Sequence, residues 1–222
     1  MQSNMSYQAA SQSSAIEINK VLRNTYMLLA MTLAFSAVTA GISMAMDVSR
    51  MASLGMWVVA FILMFVINKN ANKPSAVLLV FAFTGLLGAS LGPTLNHFAG
   101  MPNGGSLIMQ ALGGTALIFF ALSGYALTTK KDFSFLGGML FVGLIVAVVA
   151  MIANIFFQIP ALSMAISAVI ILIMSGLILF DTSRIIHGGE RNYVLATVSL
   201  YLNIYNIFVS LLQLLGVFGG DD

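Results

Sequence analysis

The sequence predicts an all-α polytopic membrane protein with seven transmembrane helices. Three observations carry that fold class. Hydrophobic residues make up 59% of the 222-residue chain and charged residues 7%. The charges, nine Lys/Arg and seven Asp/Glu, are clustered between seven apolar runs. The last run carries a stripe of polar side chains that hydrocarbon would leave unsatisfied.

A water-soluble domain carries about 25% charged residues because polar groups must cover its surface. A soluble globular enzyme, a disordered chain and a typical nucleic-acid binder are therefore excluded, and the mean hydropathy of +1.00 agrees. The net charge is only +2, so the pI near 9.0 reflects a few loop cations and marks no phosphate-binding face; no nucleic-acid partner is expected. There is no cysteine, which removes disulfides, thiolate metal sites and cysteine nucleophiles.

Residues 1–24 are rich in Ser, Gln and Asn and are expected to form a disordered polar tail on the cytoplasmic side. The transmembrane domain is expected over 25–218, with a short tail, 219–222, on the far side. The first run, Thr25 to Met46, follows Lys20 and Arg23 as a signal peptide core would. At about 22 residues it exceeds the 7 to 15 of such a core, so it reads as an uncleaved first span. Met51 to Ile67 is the shortest run, at the lower limit for a crossing, and Trp57 within it reads as a packing or interface residue. Ala76 to His97 contains Gly88 and Gly92 in GxxxG spacing, the pattern of close helix packing. The remaining spans are Leu107 to Thr128, Phe133 to Phe156, Ala161 to Phe180 and Tyr193 to Phe218; no run contains Asp, Glu, Lys or Arg.

If all seven cross, Lys20, Arg23, Lys69, Lys73, Lys130, Lys131, Arg184 and Arg191 fall on one side and Arg50 alone on the other. Positive charge is retained in the cytoplasm, so the N-terminus is expected inside and the C-terminus in the periplasm. The connections are short, the longest being Asp181 to Asn192, and leave no extramembrane domain.

Enzyme chemistry finds no support, and neither catalytic residues nor cofactor or metal ligands are expected. His97 and His187 sit at span edges, and no HExxH exists to hold zinc. Ser123-Gly124 and Ser175-Gly176 lack both the preceding Gly-x and a deep histidine, so these serines read as bonding back to their own helices.

On a helix of 3.6 residues per turn, Ser199, Asn203, Asn206, Ser210 and Gln213 occupy about a quarter of the circumference. Such a stripe must face other helices or a wet cavity, so the last span belongs inside the bundle. Its role is either interhelical bonding or a conduction or binding path. Asp181 is the one carboxylate abutting the apolar part of a helix, and charge alone pairs it with Arg184 three residues on. The stretch His187 to Asn192, with Gly188-Gly189 as a helix stop, makes the last two spans antiparallel neighbours. Asp181 and Asn203 are thereby expected to approach each other near the cytoplasmic side.

The segments GLLGASLGPTL, Gly85 to Leu95, and ALGGTALIFF, Ala111 to Phe120, resemble the signature of the Bax-inhibitor family, with Gly85, Gly92, Pro93, Thr115 and Ala116 in motif positions. FDTSRIIHGG and LYLNIYNIFVSLLQLLG resemble that family's last two helices. The resemblance spans about Thr25 to Gly216. It implies a fold of six helices surrounding a buried seventh.

The resemblance also implies function. Some members are pH-sensitive calcium leak channels in which two aspartates on the last two helices share a proton. Asp181 matches the first, but Asn203 stands at the second. Two touching carboxylates compete for ionisation and so respond to pH, whereas an Asp beside an Asn has no such repulsion. The arginine that can latch the first aspartate from the second helix is also missing; Lys69 lies at that helix's edge and Arg184 is nearer in sequence. The bacterial branch that the chain most resembles modulates the membrane-bound AAA metalloprotease FtsH. The expected function is thus a non-enzymatic inner-membrane protein that binds and modulates FtsH, with a calcium or cation leak as the alternative. The expected partners are the lipid bilayer, FtsH and, in the alternative, calcium ions.

Overall fold

The computed structural model describes residues 2–219, with side chains from Ile16 onward. It consists of α1 (Gln2–Ala45), α2 (Arg50–Asn70), α3 (Ala76–Ser90), α4 (Gly92–Ala99), α5 (Gly104–Thr129), α6 (Leu136–Phe157), α7 (Pro160–Ile186) and α8 (Tyr193–Phe218), with no strand among the described residues. Seven helical segments are long and apolar enough to cross a membrane, α3 and α4 together forming the third, Ala76–Ala99.

Local chemistry sets the helix ends. Ser49 caps α2 by accepting the Ala52 N–H at 3.2 Å, and Asn192 caps α8 by accepting those of Val194 and Leu195 at 2.9 and 3.2 Å. Each side-chain oxygen satisfies donors that the first turn would otherwise orphan. Pro160 opens α7, where its missing N–H costs nothing. The step between α3 and α4 follows from Pro93, whose ring would clash with the carbonyl four residues back in a continuous helix. Gly188, at φ 74°, turns the chain out of α7, in a left-handed conformation cheap only for glycine.

Three boundaries differ from the sequence expectation. The shortest run lies inside a 21-residue helix, about 31 Å long and ample for a crossing. Asn68 and Asn70 extend it by donating to the carbonyls of Met64 and Val66. α7 continues through Asp181–Ile186, so those residues are helix and the connection shrinks to 187–192. The polar segment expected to be disordered is helical from Gln2. No Gly or Pro precedes Gly41, so polarity alone does not end the helix. From Glu17 to Asn24 this extension lines a cleft with Glu190, Arg191 and Tyr193 of the α7–α8 connection.

α8 is the centre of the bundle, with 61% of its apolar window buried against 11% for α2 and for α6. It packs on α1, α3, α5 and α7, while α2 lies outside on α3 and α6 outside on α7. Leu200, Tyr201, Asn203, Ile207 and Leu212 are buried along one half of it, and no residue from Tyr193 to Leu212 is exposed, so the helix has no lipid face over that length. The outer helices expose Phe61, Phe65, Phe141 and Val149, as hydrocarbon rather than water around the protein requires.

Because lipid is as apolar as the helices, close packing and hydrogen bonds hold the bundle together. Gly85, Gly88 and Gly92 form one face against α1. A Cβ at these positions would overlap the Phe35 ring, the Ser36 carbonyl oxygen and the Ser43 hydroxyl respectively. The GxxxG pair is therefore a packing device, as its spacing suggested.

Candidate functional site

Asp181 and Asn203 meet across the α7–α8 hairpin. The short connection makes the two helices antiparallel, and Ser199 and Asn203, four residues apart, lie on the same face of α8. Both donate to a single oxygen: Ser199 Oγ lies 2.6 Å and Asn203 Nδ2 2.8 Å from Asp181 Oδ2. Asp181 is 7% exposed and Asn203 3%. The expected approach of these two residues is realised as a buried carboxyl bound by neutral donors.

Arg184 is not part of this site. Although three residues from Asp181, it points towards the connection, lying 3.7 Å from Glu190 and 5.5 Å from the centroid of the Phe180 ring. Its guanidinium also donates to the Gly189 carbonyl at 3.5 Å. The half-exposed position lets Arg184 keep water and a carboxylate partner, which burial beside Asp181 would deny it. Its ion pair with Glu190 is the only one among the described residues. Next to Asp181, the Thr182 hydroxyl is buried without a hydrogen-bond partner, as is that of Thr25 on α1.

The rest of the polar stripe divides. Asn206 donates to its own helix at the Leu202 carbonyl, 2.8 Å away, and Ser210 is buried. Gln213 is exposed, because the stripe reaches the rim of the bundle there, yet its Oε1 accepts the Ser167 hydroxyl of α7 at 2.9 Å. Interhelical bonding is thus present at both ends of the α7–α8 contact. Asp181 can hold or release one proton; Asn203 can orient it but cannot share its charge.

A second polar face of α8 was missed. The Tyr201 hydroxyl donates to the Thr84 carbonyl at 3.2 Å and so accepts from Ser36 Oγ, 2.6 Å away. Ser90 spends its proton on the Leu87 carbonyl, so Tyr205 donates to Ser90 Oγ at 3.2 Å. Thr197 Oγ1 lies 3.3 Å from the Thr25 carbonyl oxygen. Thr197, Tyr201 and Tyr205 recur every four residues, a period legible in the sequence once tyrosine is counted as polar at its tip. Ser123, expected to bond back to its own helix, instead shares a hydrogen bond with the Tyr26 hydroxyl of α1.

Among the motif residues, Gly85 and Gly92 seat α3 and α4 on α1, and Pro93 sets the step between those helices. Thr115 is buried and donates to the Ala111 carbonyl at 2.7 Å, while Ala116 is exposed on a groove beside α1. No group of three or more His, Asp or Glu able to hold a metal occurs among the described residues.

Residues 18–220 match the family described as "Inhibitor of apoptosis-promoting Bax1". The chain belongs to the Bax-inhibitor family. Similar relatives within it include "Modulator of FtsH protease YccA" of Escherichia coli strain K12, 56% identical over 212 residues that cover 95% of each chain. A sequence of the same identity and coverage from E. coli O6:H1 is named "Inner membrane protein YccA". A Vibrio cholerae membrane protein is 51% identical over 208 residues, 93% of each chain. Membership agrees with the central last helix and the seven spans of this Bax-inhibitor chain.

Proposed function

We propose that this chain is an inner-membrane protein that binds and modulates a membrane-bound AAA metalloprotease of the FtsH type. The observation that carries the reading is the 56% identity, over 95% of both chains, to the E. coli modulator of that protease. The fold supplies a physical route. α1 has 44 residues and its apolar span begins at Ile16, so the helix is about 66 Å long against about 30 Å of hydrocarbon. An N-terminal segment of that length offers a processive protease a cytoplasmic handle. The bundle behind it resists extraction, because α8 is buried and hydrogen-bonded to α1, α3 and α7. A chain that is gripped readily and unfolded slowly occupies the protease as a competing substrate. Co-purification in detergent tests the association: the tagged chain should retain the protease, and its absence from the eluate under conditions that preserve the protease hexamer would reject the reading.

A cation leak of the Bax-inhibitor type is the second reading: the buried Asp181 carboxyl supports it, while Asn203 in place of a second aspartate removes the repulsion that would make it pH-sensitive. Calcium flux from proteoliposomes of the pure protein at several pH values separates the two. Orientation belongs to the same proposal: the eight-to-one distribution of Lys/Arg supports a cytoplasmic N-terminus and a periplasmic C-terminus.

A further inference from the structure

α1 and α5 form the walls of a lateral groove of about 620 Å³, floored by α8 around Tyr201. The walls are apolar and open towards lipid, with the exposed residues Ala30 and Ala37 on one side and Leu112 and Ala116 on the other. The lining runs from Tyr26 to Met44 along α1, about 27 Å at about 1.5 Å per residue. Drawn out over that length, about 620 Å³ gives a mean section of about 23 Å², far narrower than a helix about 10 Å across. An unbranched hydrocarbon chain fits where a helix does not.

Charge separates the two ends. Arg23 lies seven residues before Ala30 and fourteen before Ala37, so it continues the groove-facing stripe of α1 beyond the apolar lining. Lys130 caps α5 at the same end of the bundle. Both are exposed, and neither has a carboxylate partner among the described residues. At the opposite end α1 is followed by Asp47, whose carboxylate accepts the Asn96 amide at 3.2 Å. An anionic head is favoured at the first end over the second, where Asp47 offsets the single cation Arg50.

We propose that this groove binds one acyl chain of an anionic phospholipid, with the lipid phosphate held between Arg23 and Lys130. The tail would rest on α8, so the lipid would contact the central helix as well as the walls. The test uses the full chain in nanodiscs of equal phosphatidylglycerol and phosphatidylcholine, released into native mass spectrometry. The parent should retain one phosphatidylglycerol in preference to phosphatidylcholine. Arg23→Gln and Lys130→Asn should each reduce that preference about fivefold; asparagine tolerates the left-handed backbone of Lys130, φ 51°. Ala30→Trp should abolish retention of either lipid, while Val149→Trp on the outward face of α6 should not. Equal retention of the two lipids by the parent, or undiminished preference in both charge variants, overturns the proposal. A photocrosslinker at Ala30 should capture lipid in native membranes, and capture of a protein helix in its place would also overturn it.

Discussion

Asn203 of α8 donates its amide to the buried carboxyl of Asp181 on α7 at 2.8 Å, and Ser199 donates to the same oxygen from one turn away. This contact joins the central helix to its hairpin partner. Removing Asn203 leaves Asp181 buried with one donor. Asn203→Ala should therefore destabilise the protein by about 1–3 kcal/mol, read as a lower midpoint of thermal unfolding in detergent. An unchanged midpoint would show that the amide is dispensable.

Asn203→Asp makes the opposite change, placing two carboxylates in contact where both cannot stay ionised at low cost. A shared proton relieves the repulsion, so this variant should gain stability as pH falls and lose it as pH rises. If a cation path exists, calcium flux should acquire a pH dependence between about pH 6 and 8 that the parent lacks. Asp181→Asn in that background should remove both effects.

The predictable part of this site came from chain geometry. A bilayer demands about 20 apolar residues per crossing, so charge clusters marked the spans, and a connection of six residues forced α7 and α8 together. The direction of Arg184 could not be read that way, because its partner, Glu190, is set by the fold of the connection. Tyr201 and Tyr205 were hidden for another reason: counted as apolar, they left α8 with only the one polar stripe that runs from Ser199 to Gln213. At the N-terminus, Ser and Gln suggested an unfolded tail, but without a Gly or Pro nothing stopped α1, which the structure continues from Gln2.

Glycines on the α1 side of the bundle should separate sharply on substitution. A Cβ at Gly88 overlaps the Ser36 backbone carbonyl oxygen, whereas at Gly41 it meets nothing within 4 Å. Gly88→Ala should cost about 1–3 kcal/mol by forcing α1 and α3 apart. Gly41→Ala should be neutral or stabilising by up to about 1 kcal/mol, since alanine is the better helix former. Unfolding midpoints in one detergent decide the pair.

Asp132, in the exposed α5–α6 connection, accepts the backbone N–H of Ser134 at 2.8 Å. That bond, followed by the Ser134 side chain, holds its carboxyl below the usual aspartate range. The resulting contribution to stability is present above the ordinary aspartate pKa and is lost as pH falls through the lowered folded value. Asp132→Asn should therefore lower stability slightly at neutral pH and leave the low-pH end unchanged, flattening the acid limb of the profile. A profile identical to the parent's would remove Asp132 from the account.

Topology is accessible because the chain has no cysteine. Single substitutions by Cys at Ser11, Ser106 and Ser134 can be probed in intact cells with a membrane-impermeant thiol reagent. Only the Ser106 variant should be labelled. Labelling at Ser11 or Ser134 would reverse the orientation or the span count.

Deleting residues Asn4 to Ser14 should lengthen the half-life of this chain in cells that contain the protease while leaving its unfolding midpoint unchanged. An unaltered half-life would remove the N-terminal segment as the handle.

Co-reconstitution measures competition at the protease directly. Purified chain and FtsH in the same proteoliposomes, with a second membrane protein as substrate, should show substrate degradation slowing as this chain is added. The chain itself should disappear more slowly than the substrate does alone. Substrate degradation that stays constant as this chain rises to a severalfold excess over the protease would rule out competition.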